Sequence, residues 1–193
     1  MPVDWHVSLA TGESDWRGIL ALQRATHEPS ADGFTTVQHT LPLLRRFHEL
    51  APSVVARDGE GTVVGYALTM LLELADQVPV LAPMLAELAA LPVLRDERWY
   101  VMGEVAVARE FRGTGVFDAL YTGHREHYAR EFDWLVTEVS ERNPRSLAAH
   151  RRVGFETLRR YAHDDQWWQV IACRARAAPP SPFPAAGRSR TRR

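Results

Sequence analysis

Lysine is absent from this chain: all 23 basic residues are arginine. A phosphate loop of the Gly-x-x-x-x-Gly-Lys kind is therefore excluded. A single cysteine, Cys173, allows neither an internal disulfide nor a cysteine-based zinc site, and a reducing compartment is the expectation. No stretch approaches the roughly 18 apolar residues of a membrane span. The longest candidate, 63–72, is interrupted by Gly65, Tyr66 and Thr69. The first fifteen residues hold Asp4, Glu13 and Asp15 and no apolar run, so no secretory leader is expected. The chain reads as a soluble, cytoplasmic protein without a membrane partner. A Gly-x-Ser-x-Gly turn, a His-Glu-x-x-His pair and a calcium loop are also missing, and no third glycine completes a dinucleotide fingerprint around Gly113 and Gly115. No metal is expected.

What is present is an ordinary globular composition, 46% hydrophobic and 24% charged over 193 residues, enough for one domain with a single core. The charge is unevenly spread. All 24 acidic residues lie before position 174 together with 17 of the arginines, whereas the last twenty residues hold six arginines, four prolines and no acid. Residues 1–173 thus read as an acidic folded domain and 174–193 as a disordered tail rich in proline and arginine. Weak electrostatic contact with a polyanion is the alternative for the tail. Nucleic acid is otherwise not expected as a partner.

Apolar periodicity predicts strands over 3–8, 54–57, 63–71, 99–107 and 134–140. A hairpin of 155–161 and 167–173 closes the chain across Asp164 and Asp165, and Asp58-Gly59-Glu60-Gly61 joins the second and third strands. Helices are predicted over 15–26, over 34–50 with Pro42 interrupting it, over 115–131 and over 144–153. Hairpins at both ends with helical crossovers between them imply a mixed α/β sheet. Residues 72–98 make an unusually long connection. Leu81, Met84, Leu85, Leu88 and Leu91 lie in it at helical spacing, which predicts a short packing helix, with a lid or partner-binding face as the alternative.

The strongest chemical signal is the strand at 99–107 running into Arg112-Gly113-Thr114-Gly115-Val116-Phe117 at a helix start. First-turn amides lack intrahelical partners, the helix dipole adds positive potential, and glycines let phosphate oxygens approach the backbone. Arg112 adds directional donors. A glycine turn used only for packing is the competing reading. Downstream, Pro144 sits at a helix start and Gly154 at its end, while Ser146 and His150 are four residues apart on one helix face.

Together these residues resemble the GNAT superfamily of acyl-CoA-dependent N-acetyltransferases. Arg112, Gly115 and Phe117 align with its Arg/Gln-x-x-Gly-x-Gly/Ala motif, and Asn143, Ser146, His150, Gly154 and Phe155 reproduce the intervals of its second motif. The resemblance implies an α/β (α+β) fold: a mixed, mostly antiparallel sheet with a central splayed strand pair and flanking helices. It also implies acetyl-CoA as co-substrate, bound by Val105, Val107, Arg112, Gly113, Thr114, Gly115, Val116, Phe117, Asn143 and Ser146. Phe117 departs from Gly/Ala, and its ring is expected in the core while its amide faces the pyrophosphate. His150 stands where many members carry a tyrosine acid, so it is a candidate acid or a plain contact.

The activity so implied is direct acetyl transfer to an amine, with the thioester carbonyl polarised by the amide of Val107 or its neighbour. Glu104 is the preferred base and Glu138 the alternative, since carboxylates on central strands are costly to bury without purpose. The acceptor is expected to meet His27, Glu28, Phe34 and the 72–98 segment, and the acidic domain favours a cationic amine. Cys173 reads as a buried apolar residue. A non-catalytic acyl-CoA-binding module and an interaction protein working through the insertion and tail are the competing readings. The chain is expected to be a monomer or homodimer.

Overall fold

The computed structural model describes residues 4–27 and 38–176. Strands β1 (Trp5–Leu9), β2 (Val54–Asp58), β3 (Val63–Met70), β4 (Trp99–Val107), β5 (Trp134–Ser140), β6 (Glu156–His163) and β7 (Gln166–Arg174) form one sheet in the order β1-β2-β3-β4-β5-β7-β6. Helices α1 (Glu13–Thr26), α2 (Leu41–Leu50), α3 (Ala82–Ala89), α4 (Val116–Tyr128) and α5 (Pro144–Arg152) flank it. This is the expected mixed sheet, antiparallel at every pairing but one.

The exception is β4 with β5. They pair in parallel only at Trp99–Trp134, Tyr100–Leu135 and Val101–Val136, and beyond those rungs the strands diverge. On its other side β4 stays paired with β3, but the register slips between Ala67 and Thr69. Two positions of β4, Gly103 and Glu104, there oppose one of β3, Leu68, so one extra residue bulges and re-aims the following side chains.

The faces follow from alternation along β3, all eight residues of which are buried. A Cβ at Gly65 would meet Val116 and Leu120 of α4. Tyr66 therefore points to the opposite face, where its hydroxyl reaches Glu104, a group also held by Gln23 of α1. Helices α1 and α4 thus cover opposite faces. Tyr100, His124 and Tyr128 pack together under α4, with ring centroids 5.0–5.9 Å apart. Fully buried side chains of this size contribute roughly 1.5–3 kcal/mol each.

Local chemistry explains the boundaries. Asp164 and Asp165 take φ of 48° and 54°, the left-handed pair that a two-residue hairpin turn needs. The helix expected over 34–50 differs. Its first four positions lie outside the described residues, 38–40 are not helical, and α2 begins at Leu41. Thr40 caps it by accepting a hydrogen bond from the Leu43 amide (3.4 Å). Pro42 occupies the first turn, where its missing N–H costs nothing, so it starts the helix instead of interrupting it.

The 72–98 segment is a chain of 3₁₀ turns around the short α3. Its Met84 and Leu88 are buried, and Glu87 pairs with Arg159 of β6 at 2.7 Å. The boundary expected after residue 173 falls inside β7. Arg174 lies over the Trp134 ring at 3.9 Å and pairs with Glu97 at 3.0 Å, and Arg176 donates to the Ala129 carbonyl at 2.7 Å. The rest of the expected tail, 177–193, lies outside the described residues.

Gly65 decides how close α4 lies to the sheet, because an added Cβ would stand 2.7 Å from Val116 Cγ1. We predict that G65A lowers stability by about 1–3 kcal/mol through overpacking. Chemical denaturation would show this as a lower midpoint with an unchanged slope.

Candidate active site

The divergence of β4 and β5 opens a cleft of about 1180 Å³. Its walls include Leu22, Thr26 and Phe47 from the α1–α2 face, and Phe117, Asn143 and His150 from the α4–α5 face. Because both faces contribute, the cleft passes through the sheet at the split.

Backbone polarity in the split follows from the register. The Ala108 amide donates to the Val64 carbonyl at 2.8 Å. Hydrogen bonding alternates along an antiparallel strand, so Ala106 also faces β3 and the backbone groups of Val105 and Val107 face the split. The Val107 carbonyl accepts from Arg112 Nε at 3.2 Å, which leaves its amide as a donor in the gap.

At one end of the cleft the chain turns through Arg109–Phe111 into α4. Gly113 and Gly115 have φ of +80° and +95°, a region that glycine enters without penalty. Gly115 is the helix N-cap and no side chain caps the first turn, so the amides there face outward as an anion cradle. Arg109, Arg112, Arg145 and Arg152 line the same end.

Of the residues expected to hold the donor, Val105, Val107, Arg112, Gly113, Gly115, Phe117, Asn143 and Ser146 line the cleft. The side chains of Thr114 and Val116 do not. Thr114 turns its hydroxyl onto the Phe111 carbonyl (2.8 Å), and Val116 is fully buried beside Gly65. Asn143 caps α5, its Oδ1 accepting from the Ser146 amide at 3.0 Å. The Phe117 ring is only half-buried, packed on Tyr121 at 5.0 Å and on the edge of His150 at 5.2 Å.

His150 is buried. Its Nδ1 lies 2.8 Å from the Ser146 carbonyl, which can only accept, so Nδ1 carries the proton. Nε2 then accepts from the Tyr121 hydroxyl at 2.7 Å. Burial pushes the imidazole down to about 4.

Two carboxylates lie toward the α1–α2 face. Glu104 accepts from the Tyr66 hydroxyl and from Gln23 Nε2 (2.7 Å). Gln23 Oε1 accepts from the His39 amide at 3.0 Å, which fixes the orientation of the Gln23 amide. Its Nε2 therefore also donates to His39 Nδ1 at 2.8 Å. Burial and the Glu104 charge raise the Tyr66 phenol far above its ordinary range. Glu138 accepts from the Tyr161 hydroxyl. Burial pushes Glu138 up to about 7, against the opposing hydrogen bond from Tyr161 and the nearby His163.

Gln23, Tyr66, His39 and Tyr161 carried no signal in the sequence, because each meets its carboxylate only through the tertiary fold. Of the residues expected to meet the acceptor, His27 ends α1, its amide donating to the Gln23 carbonyl at 2.8 Å. Glu28 and Phe34 lie outside the described residues. Cys173 is buried, which raises its thiol. Among the described residues no group of His, Cys, Asp and Glu could hold a metal, and no helix is long and apolar enough to cross a membrane.

A model of the acetyltransferase (GNAT) family matches residues 16–155. The chain belongs to that family. No curated protein matches it by sequence, but solved GNAT structures share its fold. The phosphinothricin acetyltransferase of Sinorhizobium meliloti, in complex with acetyl-CoA, is 18% identical, with a TM-score of 0.61 over 95% of this chain and 97% of that one. The yncA protein of Salmonella typhimurium, with its cofactor acetyl-CoA, is 15% identical at 0.63, covering 92% and 98%. The ribosomal-protein-S18-alanine N-acetyltransferase of Escherichia coli is 13% identical at 0.61, covering 93% and 99%.

The GNAT fold of this chain holds two buried neutral histidines, His150 and His124, both pushed down to about 4 by burial. Between about 6.5 and 4 the unfolded chain binds protons that the folded chain does not. These two groups therefore destabilise the fold as pH falls through that window. Imidazole nitrogen shifts in a labelled sample are expected to show His150 neutral and protonated on Nδ1 down to about pH 5. Titration near 6.5 would contradict this.

Proposed function

We propose that the protein is an N-acetyltransferase that moves an acetyl group from acetyl-CoA directly to an amine. The observation that carries this reading is the split itself: unpaired backbone donors of Val105 and Val107 between two mouths, one of them an arginine-lined anion cradle. The pyrophosphate would lie on the turn from Gly113 to Phe117 with Arg112 beside it, and the pantetheine arm between the strands near Asn143 and Ser146. The amine enters from the α1–α2 face. Its nitrogen attacks the thioester carbon, the developing oxyanion is held by the Val107 amide, and the C–S bond breaks as the amide forms.

Glu138 takes the proton of the incoming ammonium. A carboxyl poised at about 7 is matched to that task at neutral pH. Glu104, preferred as base from the sequence, already accepts two hydrogen bonds, and we assign it to holding the substrate cation. The second amine proton, lost as the amide forms, balances the one taken up by the thiolate. His150 holds Tyr121 and α5 in place behind the donor and is not assigned as the acid, since both its nitrogens are engaged.

The test is acetyl-CoA binding followed by thiol release across a panel of amines. Tight binding without turnover would favour an acyl-CoA-binding module. In E138Q, kcat/KM at pH 8 is expected to fall about 100-fold, and the rise centred near pH 7 is expected to disappear. E104Q should raise KM and keep that rise. G115A introduces no clash, the nearest atom being Trp5 Cζ2 at 3.7 Å, but its left-handed backbone costs about 1–2 kcal/mol. Acetyl-CoA affinity measured by calorimetry is expected to drop about tenfold.

A further inference from the structure

The arginines of the cleft are all at one end. Arg109 and Arg112 belong to the turn after β4, and Arg145 and Arg152 to α5. Arg152 is moreover tied to Asp118 at 2.6 Å. Toward the other mouth the walls are Leu22, Phe47, Met70 and Leu81. The polar floor there is acidic. Glu104 is only 9% exposed in its side chain, and it accepts hydrogen bonds from the neutral side chains of Tyr66 and Gln23. His39 Nδ1 approaches it at 3.4 Å and is also in hydrogen-bond contact with Gln23 Nε2. Glu138 is bonded by the Tyr161 phenol and has no arginine within ion-pair distance among the described residues.

Glu138 lies on the same side of the sheet as Glu104. Leu135 pairs with Cys173, which Arg125 of α4 approaches. Glu138, three residues on from Leu135, faces the opposite way, toward α1. Two weakly compensated carboxylates and an apolar wall therefore meet at the mouth where the amine must enter. A substrate carboxylate beside the reacting amine would find no arginine there and would face like charge in a poorly solvated site, which disfavours its binding.

We infer that the acceptor is a cationic amine with an apolar body whose α-carbon bears no free carboxylate. A free alkyl or arylalkyl amine and the N-terminus of a peptide share that chemistry; a free α-amino acid does not. The inference rests on the acetyltransferase reading, since it places the reacting amine at the acidic mouth.

Phenylalanine and phenylalaninamide share a side chain and differ at the carboxylate; because the ammonium of the amide is the more acidic, kcat/KM is compared per concentration of free amine. With acetyl-CoA as donor, the amide is expected to show a kcat/KM at least tenfold above that of the acid. Values within threefold of each other, or a preference for the acid, would overturn the inference. Two further arms separate the sources: 2-phenylethylamine acetylated fastest identifies a free amine, and a phenylalanyl tripeptide amide acetylated fastest identifies a chain N-terminus. If none of these releases thiol, the acetyltransferase reading fails on its own account. The same acid and amide are then compared for binding to the CoA-loaded protein by calorimetry. Tighter binding of the amide supports the inference, and equal binding defeats it. In E138Q, which removes one of the two charges, the binding ratio of amide to acid is expected to shrink.

Discussion

After Val101, β4 loses its neighbour on one side. Three parallel rungs hold it to β5, and then two central strands of a seven-stranded sheet part while both remain paired on their outer edges. Interior strands normally satisfy every backbone group, so the split leaves amides and carbonyls directed at each other across a gap that water or a ligand must fill. The rest of the site depends on that geometry. The turn into α4 follows where β4 ends, α5 follows where β5 ends, and each therefore delivers its first-turn amides to a different wall of one opening. The bulge at Met102–Val105 does complementary work by turning Glu104 toward the face covered by α1.

Holding such an opening apart needs rigid walls. Gly65 and the buried ring cluster of Tyr100, His124 and Tyr128 seat α4 closely on one face. On the other, Gln23 ties His39 and Glu104 together, so α1, the start of α2 and β4 share one hydrogen-bond network. Its side chains are one amide and one imidazole around one carboxylate. Buried polar networks of this kind specify geometry more than they add stability, because each group has lost water in exchange for its partner.

Much of this was legible in the residues. Arg112, Gly113 and Gly115 after an apolar strand, with Asn143, Pro144 and Gly154 at their intervals, report local backbone geometry: positive φ, a helix start and a helix stop. Such constraints act within a few residues and leave a readable pattern. The parallel pairing of Trp99 with Trp134 carries no such mark, and the point at which the strands part cannot be inferred from either alone. The partners of Glu104 come from positions 23, 39 and 66, and each has an unremarkable sequence neighbourhood. Pro42 was misread for a related reason. Proline disrupts a helix interior and favours its first turn, and only the position of the Thr40 cap decides between the two. His150 illustrates a further limit, since spacing placed it at the cleft while its tautomer depends on the Tyr121 hydroxyl and the Ser146 carbonyl.

The absence of lysine and the split share an electrostatic logic. Arginine remains charged in any surroundings and offers a planar fork to phosphate oxygens, so the donor end can be lined with cations whose protonation never competes with the chemistry. Proton exchange is then left to carboxylates on the opposite face. Glu138 bears the cost of that arrangement. Its value of about 7 means that the folded chain holds this proton more tightly than the unfolded chain does. The stability it contributes is complete below the ordinary carboxylate range and is lost as pH rises through 7. On the proposed reading, a base at that position takes up the ammonium proton at a pH where its own charge is least welcome to the fold. A site relieved of that tension, by water or by an arginine near Glu138, would be more stable but would have no reason to accept the proton.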